Sequence, residues 1–295
     1  MKKLKFWLLA IIIVGFAAVA GSYLHRTNIP VLEPRGIIAG KEQHLIIIAL
    51  LLSLIVVIPV FTFAIVIAWR YRETNQRTNR KYSPDWDGSR FFESLWWGIP
   101  ILIITVLSVI TWQSSQALDP YKPISSSQPP LHVQVVALDW KWLFIYPQQH
   151  VASVNLLEMP VGTPVNFELT SDTVMNSFWV PQLGSQIYAM PGMTSQLHLL
   201  ATQPGSYRGS SANISGRGFA SMTFTAKATS LASFNQWTRR LQRMPASLTT
   251  SAYQQLAAPS ANHPVSYYSL PNAHLFDEIT AKYMAADNST SGMVM

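Results

Sequence analysis

Chemistry in this chain would have to come from seven histidines, 14 carboxylates and the hydroxyls, because it contains no cysteine. That absence excludes disulfides, thiolate metal sites, iron–sulfur clusters, cysteine nucleophiles and lipid attachment through a thiol. Histidine could still bind a metal. However, His25, His44, His132, His150, His198, His263 and His274 show no i, i+4 pair or other ligand spacing, so each is expected as a surface or packed imidazole. Serine chemistry has no better footing, since there is no Gly-x-Ser-x-Gly elbow, glycine-rich phosphate loop or His-Glu-x-x-His string. One acid stands apart. Glu93 precedes the uncharged run Ser94-Leu-Trp-Trp-Gly-Ile-Pro-Ile-Leu-Ile-Ile104, and an ionisable group at a membrane boundary is a candidate for handling protons. The competing account is a solvated interfacial carboxylate.

The elements around Glu93 follow from composition. Only 12% of the 295 residues are charged, against about 25% in soluble proteins, while 49% are hydrophobic. The net charge of +7 is concentrated in residues 1–112, which hold 12 of the 21 Lys and Arg but 6 of the 14 Asp and Glu. The basicity therefore belongs to a membrane-associated third and gives no reason to expect a nucleic-acid partner; Arg239, Arg240 and Arg243 read as the solvated face of a helix. Residues 1–24 have the basic start, apolar middle and Ala18-Val19-Ala20 exit of a secretory signal cleaved after Ala20, or form a retained anchor. Residues 25–44 form an outer segment. Residues 45–69 and 93–112 are expected to be transmembrane helices, since roughly 20 apolar residues cross a hydrocarbon layer about 30 Å thick. Pro59 and Pro100 lie inside them. The loop at residues 70–92 carries Arg70, Arg72, Arg77, Arg80, Lys81 and Arg90, which places it in the cytoplasm and both distal ends outside.

Residues 113–130 read as a Pro- and Ser-rich linker. From Leu131 to about Ala228, short alternating runs separated by Gly and Pro turns predict a small antiparallel sandwich or Greek-key barrel. Residues 229–295 form a C-terminal extension with short helices around residues 234–241, 252–257 and 275–284, a Pro-punctuated coil before the last of them, and no ordering pattern in the last ten or so residues.

Four strings carry a family resemblance: Asp139-Trp-Lys-Trp-Leu-Phe-Ile-Tyr146; Ser171-Asp-Thr-Val-Met-Asn-Ser-Phe-Trp-Val-Pro-Gln-Leu-Gly184; Gln186-Ile-Tyr-Ala-Met-Pro-Gly-Met193; and Ser211-Ala-Asn-Ile-Ser-Gly-Arg-Gly-Phe-Ala-Ser-Met222. Over residues 33–228 the chain resembles subunit II of the haem-copper respiratory oxidases, and most closely the cytochrome bo-type ubiquinol oxidase branch, which also carries a C-terminal extension. The resemblance implies a membrane α-helical hairpin plus an all-β cupredoxin-like Greek-key barrel, with a short helical C-terminal extension.

In the cytochrome c branch of that family an outer binuclear copper centre accepts electrons. By the resemblance, its ligand positions fall here on Asn176, Ser211, Asn213, Ser215, Phe219 and Met222, so that of the six only the methionine is kept. A serine hydroxyl stays protonated near neutral pH and cannot bridge coppers as a thiolate does. Met222 is then expected in the core, filling a gap. Trp140, at the position that passes electrons to copper in that branch, is expected with Trp142, Phe144 and Tyr146 as a buried or subunit-facing aromatic.

The resemblance further implies a terminal ubiquinol oxidase in a bacterial inner membrane that reduces oxygen to water and pumps protons. Haem, copper and ubiquinol would be held by subunit I, with no cofactor in this chain. Its partners would be subunit I, the other membrane subunits and the lipid bilayer, with no role for cytochrome c. Glu93 matches a glutamate that lies at the entrance of a proton pathway into subunit I. The alternative from the residues alone is a membrane-tethered periplasmic binding module on a degenerate cupredoxin fold.

Overall fold

The computed structural model describes residues 15, 21–22, 29–72 and 88–290. Most of the signal or anchor, its cleavage site at Ala20 and most of the Arg-rich loop lie outside the described residues, as does the end of the tail after Thr290. The chain divides into two compact units, one comprising residues 42–119 and the other residues 1–41 with 120–295.

The first unit is helical. Helix α1 (Ile37–Arg70) and helix α2 (Arg90–Ala117) are both long and apolar enough to cross a membrane. Most of their large side chains, from Leu50 to Trp69 and from Phe91 to Trp112, are exposed, the reverse of a soluble core. Their hydroxyls find partners within the helix: Ser53, Thr62 and Thr105 donate to the carbonyls of Ala49, Ile58 and Ile101 at 2.8, 2.7 and 2.8 Å. Both helices outrun the apolar stretches at 45–69 and 93–112, because hydropathy marks the part that can lie in lipid, whereas backbone hydrogen bonding continues into the polar flanks.

The second unit is built from two sheets. One carries strands in the order β11-β3-β2-β1-β5-β8 and the other β4-β10-β9-β6-β7. In chain order these are β1 (Leu131–Leu138), β2 (Lys141–Tyr146), β3 (Val151–Val154), β4 (Leu156–Pro160), β5 (Val165–Ser171), β6 (Asn176–Trp179), β7 (Ile187–Ala189), β8 (Ser195–Leu199), β9 (Gly205–Ser211), β10 (Thr223–Thr229) and β11 (Ser266–Ser269). The expectation of an antiparallel domain needs correcting. Strand β1 pairs with β5 in parallel, and β10 pairs with β4 in parallel, so both sheets are mixed. Alternation reports which face of a strand is buried and says nothing of the direction of its neighbour.

Between the sheets lies an aromatic core. The Phe178 and Phe224 rings stack at 5.1 Å, and Trp142 meets both edge-on. Strand β2 buries all six of its residues. Trp142, Phe144 and Tyr146 face the inter-sheet core, while Leu143 and Ile145 face a second cluster made with Leu248, Tyr253, Leu256, Leu275, Phe276 and Ile279 of the C-terminal extension. That extension contains α3 (Leu231–Gln242), α4 (Thr250–Ala257) and α5 (Leu275–Thr290). Ser230 and Thr249 cap α3 and α4 by accepting from the N–H groups of Ser233 and Ala252. Arg239, Arg240 and Arg243 lie on the exposed face of α3 or at its end, as expected. Two readings of the extension need correcting. The segment expected as coil contains β11, which pairs antiparallel with β3, and α5 continues to Thr290 into the stretch expected to lack order. A four-residue strand has too few residues to display a period, and its pairing with β3 lies more than a hundred residues back in the chain.

Residues 35–41 and the linker from Pro120 belong to the second unit and are tied to its sheets. The Arg35 N–H donates to the Gln182 carbonyl at 2.7 Å, the Ala39 N–H to the Leu183 carbonyl at 3.2 Å, and Gly36 bridges to Ala201. A Cβ on Gly36 would lie 2.5 Å from the Leu183 carbonyl oxygen, so only glycine allows that approach. In the linker, the Pro120 carbonyl pairs with His198 Nδ1 at 2.9 Å, and Gln128 accepts from the Thr163 hydroxyl at 2.7 Å.

Candidate functional site

The six positions that the resemblance marks fall on β6, β9 and the β9–β10 loop. Asn176 opens β6, Ser211 ends β9, and the β9–β10 loop carries Asn213, Ser215, Phe219 and Met222. Pairing of Phe178 with Ser211 and of Trp179 with Ser210 sets Asn176 beside Ser211. The Ser211 hydroxyl lies 3.1 Å from Asn176 Oδ1 and 3.2 Å from the Asn213 carbonyl, and it accepts from the Ser177 N–H at 3.4 Å. The amides point away from the centre of the cluster: Asn176 Nδ2 donates to the Val174 carbonyl and Asn213 Nδ2 to the Met175 carbonyl, both at 3.0 Å. Ser215 Oγ sits 3.8 Å from Met222 Sδ, and Met222 is 1% exposed within the core. Phe219 opens a short 3-10 turn and is half-buried.

This donor set consists of neutral hydroxyls and amides bonded to each other, plus one thioether already in contact with a hydroxyl. It does not fit a binuclear copper centre, whose bridging requires anionic sulfur. What it can do chemically is satisfy itself: buried polar groups that complete one another's hydrogen bonds hold loops in place without a charge.

Trp140 turns the chain between β1 and β2 in a left-handed conformation with φ 61°. Its indole N–H donates to the Ser215 carbonyl at 3.1 Å, and its ring covers Gly218, where a Cβ would come within 2.2 Å of the indole. The ring therefore packs on the β9–β10 loop, which carries the marked positions Ser215 and Phe219. Trp142, Phe144 and Tyr146 are fully buried, as expected, and the Tyr146 hydroxyl bonds to both the carbonyl and the N–H of Glu158.

Glu93 belongs to the helical unit and is exposed in the first turn of α2, its N–H bonded to the Ser89 carbonyl at 2.9 Å. An acid in the first turn suits the positive end of the helix dipole. Among the described residues no group of three or more His, Asp or Glu is close enough to hold a metal. His263 has its imidazole pushed below the usual range, chiefly by burial and further by nearby Lys141.

Sequence reasoning missed two charged residues. Asp172, quoted only as part of a string, has a side chain 2% exposed and is met by Lys282 at 2.7 Å. Lys141 is fully buried, and burial pushes its ammonium below the usual range, with Asp139 opposing. A charge inside a run of apolar strand residues was the available signal for Lys141. For Asp172 there was none, since its partners lie 81 to 111 residues further on.

Comparisons with known proteins place this arrangement. The family described as Cytochrome C oxidase subunit II, periplasmic domain, matches residues 143–229, and the COX Aromatic Rich Motif matches residues 242–287. The cytochrome bo(3) ubiquinol oxidase subunit 2 of Pseudomonas aeruginosa is 49% identical over 251 residues, covering 85% of this chain and 75% of that protein. The ubiquinol oxidase subunit 2 of Acetobacter aceti is 48% identical over 272 residues, covering 90% and 88%. Among solved structures, the periplasmic domain of subunit II of cytochrome oxidase of Bradyrhizobium japonicum matches 40% of this chain and 96% of that one, at 20% identity and a TM-score of 0.37. Identity near one half over most of both full-length relatives is decisive: the chain belongs to the ubiquinol oxidase subunit 2 family, within the haem-copper oxidase subunit II proteins.

Proposed function

We propose that this chain is the copper-free, non-catalytic subunit II of a proton-pumping terminal ubiquinol oxidase that reduces oxygen to water. Haem, the oxygen-reducing copper and the quinol site belong to subunit I in this reading, and the chain contributes assembly and, through Glu93, proton uptake from the cytoplasm. It sits in a bacterial inner membrane with its β domain in the periplasm. The observation that carries the reading is the Asn176–Ser211–Asn213 cluster with buried Met222, where the Ser211 hydroxyl and both side-chain amide nitrogens are hydrogen-bonded and none of these side chains is anionic. Electrons from a lipid-soluble donor arrive within the membrane, so a relay through this domain is dispensable.

Exposed apolar side chains support docking onto a partner subunit. Val174 and Met175 precede Asn176, Tyr188 pairs opposite Ser177, and Ile214, 79% exposed, follows Asn213. Apolar residues left in solvent beside a self-satisfied polar cluster suit a protein interface better than a ligand site.

Isolation of the native complex through an affinity tag on this chain tests the reading. The expected result is a haem protein that oxidises ubiquinol and turns over negligibly with reduced cytochrome c. A preparation without haem, or one served equally well by cytochrome c, contradicts it.

A further inference from the structure

We propose that the C-terminal extension is a clasp that fixes the two loops bordering the Asn176–Ser211–Met222 cluster, with the buried carboxylate of Asp172 as its anchor. Asp172 lies in the β5–β6 loop, four residues before Asn176, and its own N–H donates to the Ala137 carbonyl at 2.9 Å. Three donors from the extension converge on it. The Tyr253 hydroxyl of α4 donates to Oδ2 at 2.6 Å, while the Lys282 ammonium and Tyr283 hydroxyl of α5 donate to Oδ1 at 2.7 and 2.8 Å. Gly192, at φ 71°, leaves the space that Tyr283 occupies, its missing Cβ lying 3.1 Å from that of Tyr283.

A second attachment mirrors the first with opposite charge. Lys141, beside the β1–β2 turn, donates to the Ala258 carbonyl at 2.7 Å and to Ser260 Oγ at 2.6 Å, where α4 ends. A cation at a helix C-terminus is favourably placed. The Ser260 N–H reaches the Asp139 carbonyl, and the Thr173 hydroxyl donates to the Asp139 carboxylate, so the two loops are joined to each other as well as to the extension.

The apolar cluster against Leu143 and Ile145 gives the extension adhesion, but apolar contact is non-directional. A buried carboxylate and a buried ammonium, each costly unless fully paired, specify one seating. Lys282 agrees: its ammonium is held above the usual range, first by the hydrogen bond to Asp172, although the side chain is 61% exposed. Where a metal is bound, it ties such loops together itself. That the clasp takes over this task rests on the copper-free reading, whereas the contacts do not.

Hydrogen–deuterium exchange on the full chain in its purified complex tests the clasp, with Asp172→Asn as the variant. Amides of residues 139–141 and 172–176 should exchange about tenfold faster, together with those of 250–283, because the charged acceptor shared by Tyr253, Lys282 and Tyr283 is lost and the seating that holds Ala258 and Ser260 against Lys141 loosens with it. Amides of β1 and β5 between Val133 and Leu169 should be unchanged. If Asp172→Asn does not accumulate, the double variant Tyr253→Phe, Tyr283→Phe removes two donors and leaves the ion pair, and the same loops should loosen. Acceleration confined to residues 275–284, or none in the two loops, overturns the proposal. Exchange requires neither copper nor quinol, so its outcome is independent of the test of function above.

Discussion

Phe224 can stack on Phe178 only because its cross-strand neighbour is Gly209, where an added Cβ would come within 2.1 Å of the Phe224 ring. Gly209→Ala should therefore destabilise the domain by about 1–3 kcal/mol through overpacking, read as a lower thermal midpoint with the fold otherwise intact. Glu93 makes no comparable demand on packing, being exposed in the first turn of α2. Glu93→Gln keeps the shape and removes the titratable proton, so assembly and haem content should be unchanged. On the proposed role of Glu93 in proton uptake, turnover should fall about tenfold or less, a barrier increase on the order of 1 kcal/mol, because water can partly substitute for the carboxylate. Glu93→Asp should recover part of the loss. A Glu93→Gln complex with undiminished turnover across pH would leave the residue a solvated carboxylate. The marked positions Asn176, Ser211 and Met222 were readable because the strings around them are specific; Lys141 left a trace only as a charge beside an apolar strand run, and Asp172 left none, because its partners lie far along the chain.

At the scale of elements, the two long helices were the plainest feature of the sequence, since an uncharged run of about 20 residues has few other uses. Their ends were less legible, because the backbone ladder continues past the apolar run. Strand β2 shows the opposite case. Trp142-Leu-Phe-Ile-Tyr146 lacks alternation because both its faces are covered, one by the second sheet and one by the extension, and an unbroken apolar run does not say what covers it. Direction across the membrane rests on the arginines of residues 70–92. A cysteine introduced at Ser126 should react with an impermeant thiol reagent in intact cells, and one at Asn79 only after lysis, with no native cysteine to interfere. The reverse labelling would overturn the orientation.

For the whole molecule, two helices long and apolar enough to cross a membrane are followed in sequence by a cupredoxin-like domain in which Asn176, Ser211 and Asn213 form a hydrogen-bonded cluster, with Val174, Met175, Tyr188 and Ile214 exposed among its neighbours in sequence and pairing. On the proposed copper-free reading, a cluster without anionic donors cannot serve an electron relay, and its exposed apolar neighbours suit a surface that holds a partner. The most direct measurement is the copper retained by the purified full chain after copper loading and washing with a chelator. The account predicts that elemental analysis finds none and that no intense visible absorption develops. A stoichiometric pair of coppers with strong visible bands would contradict it.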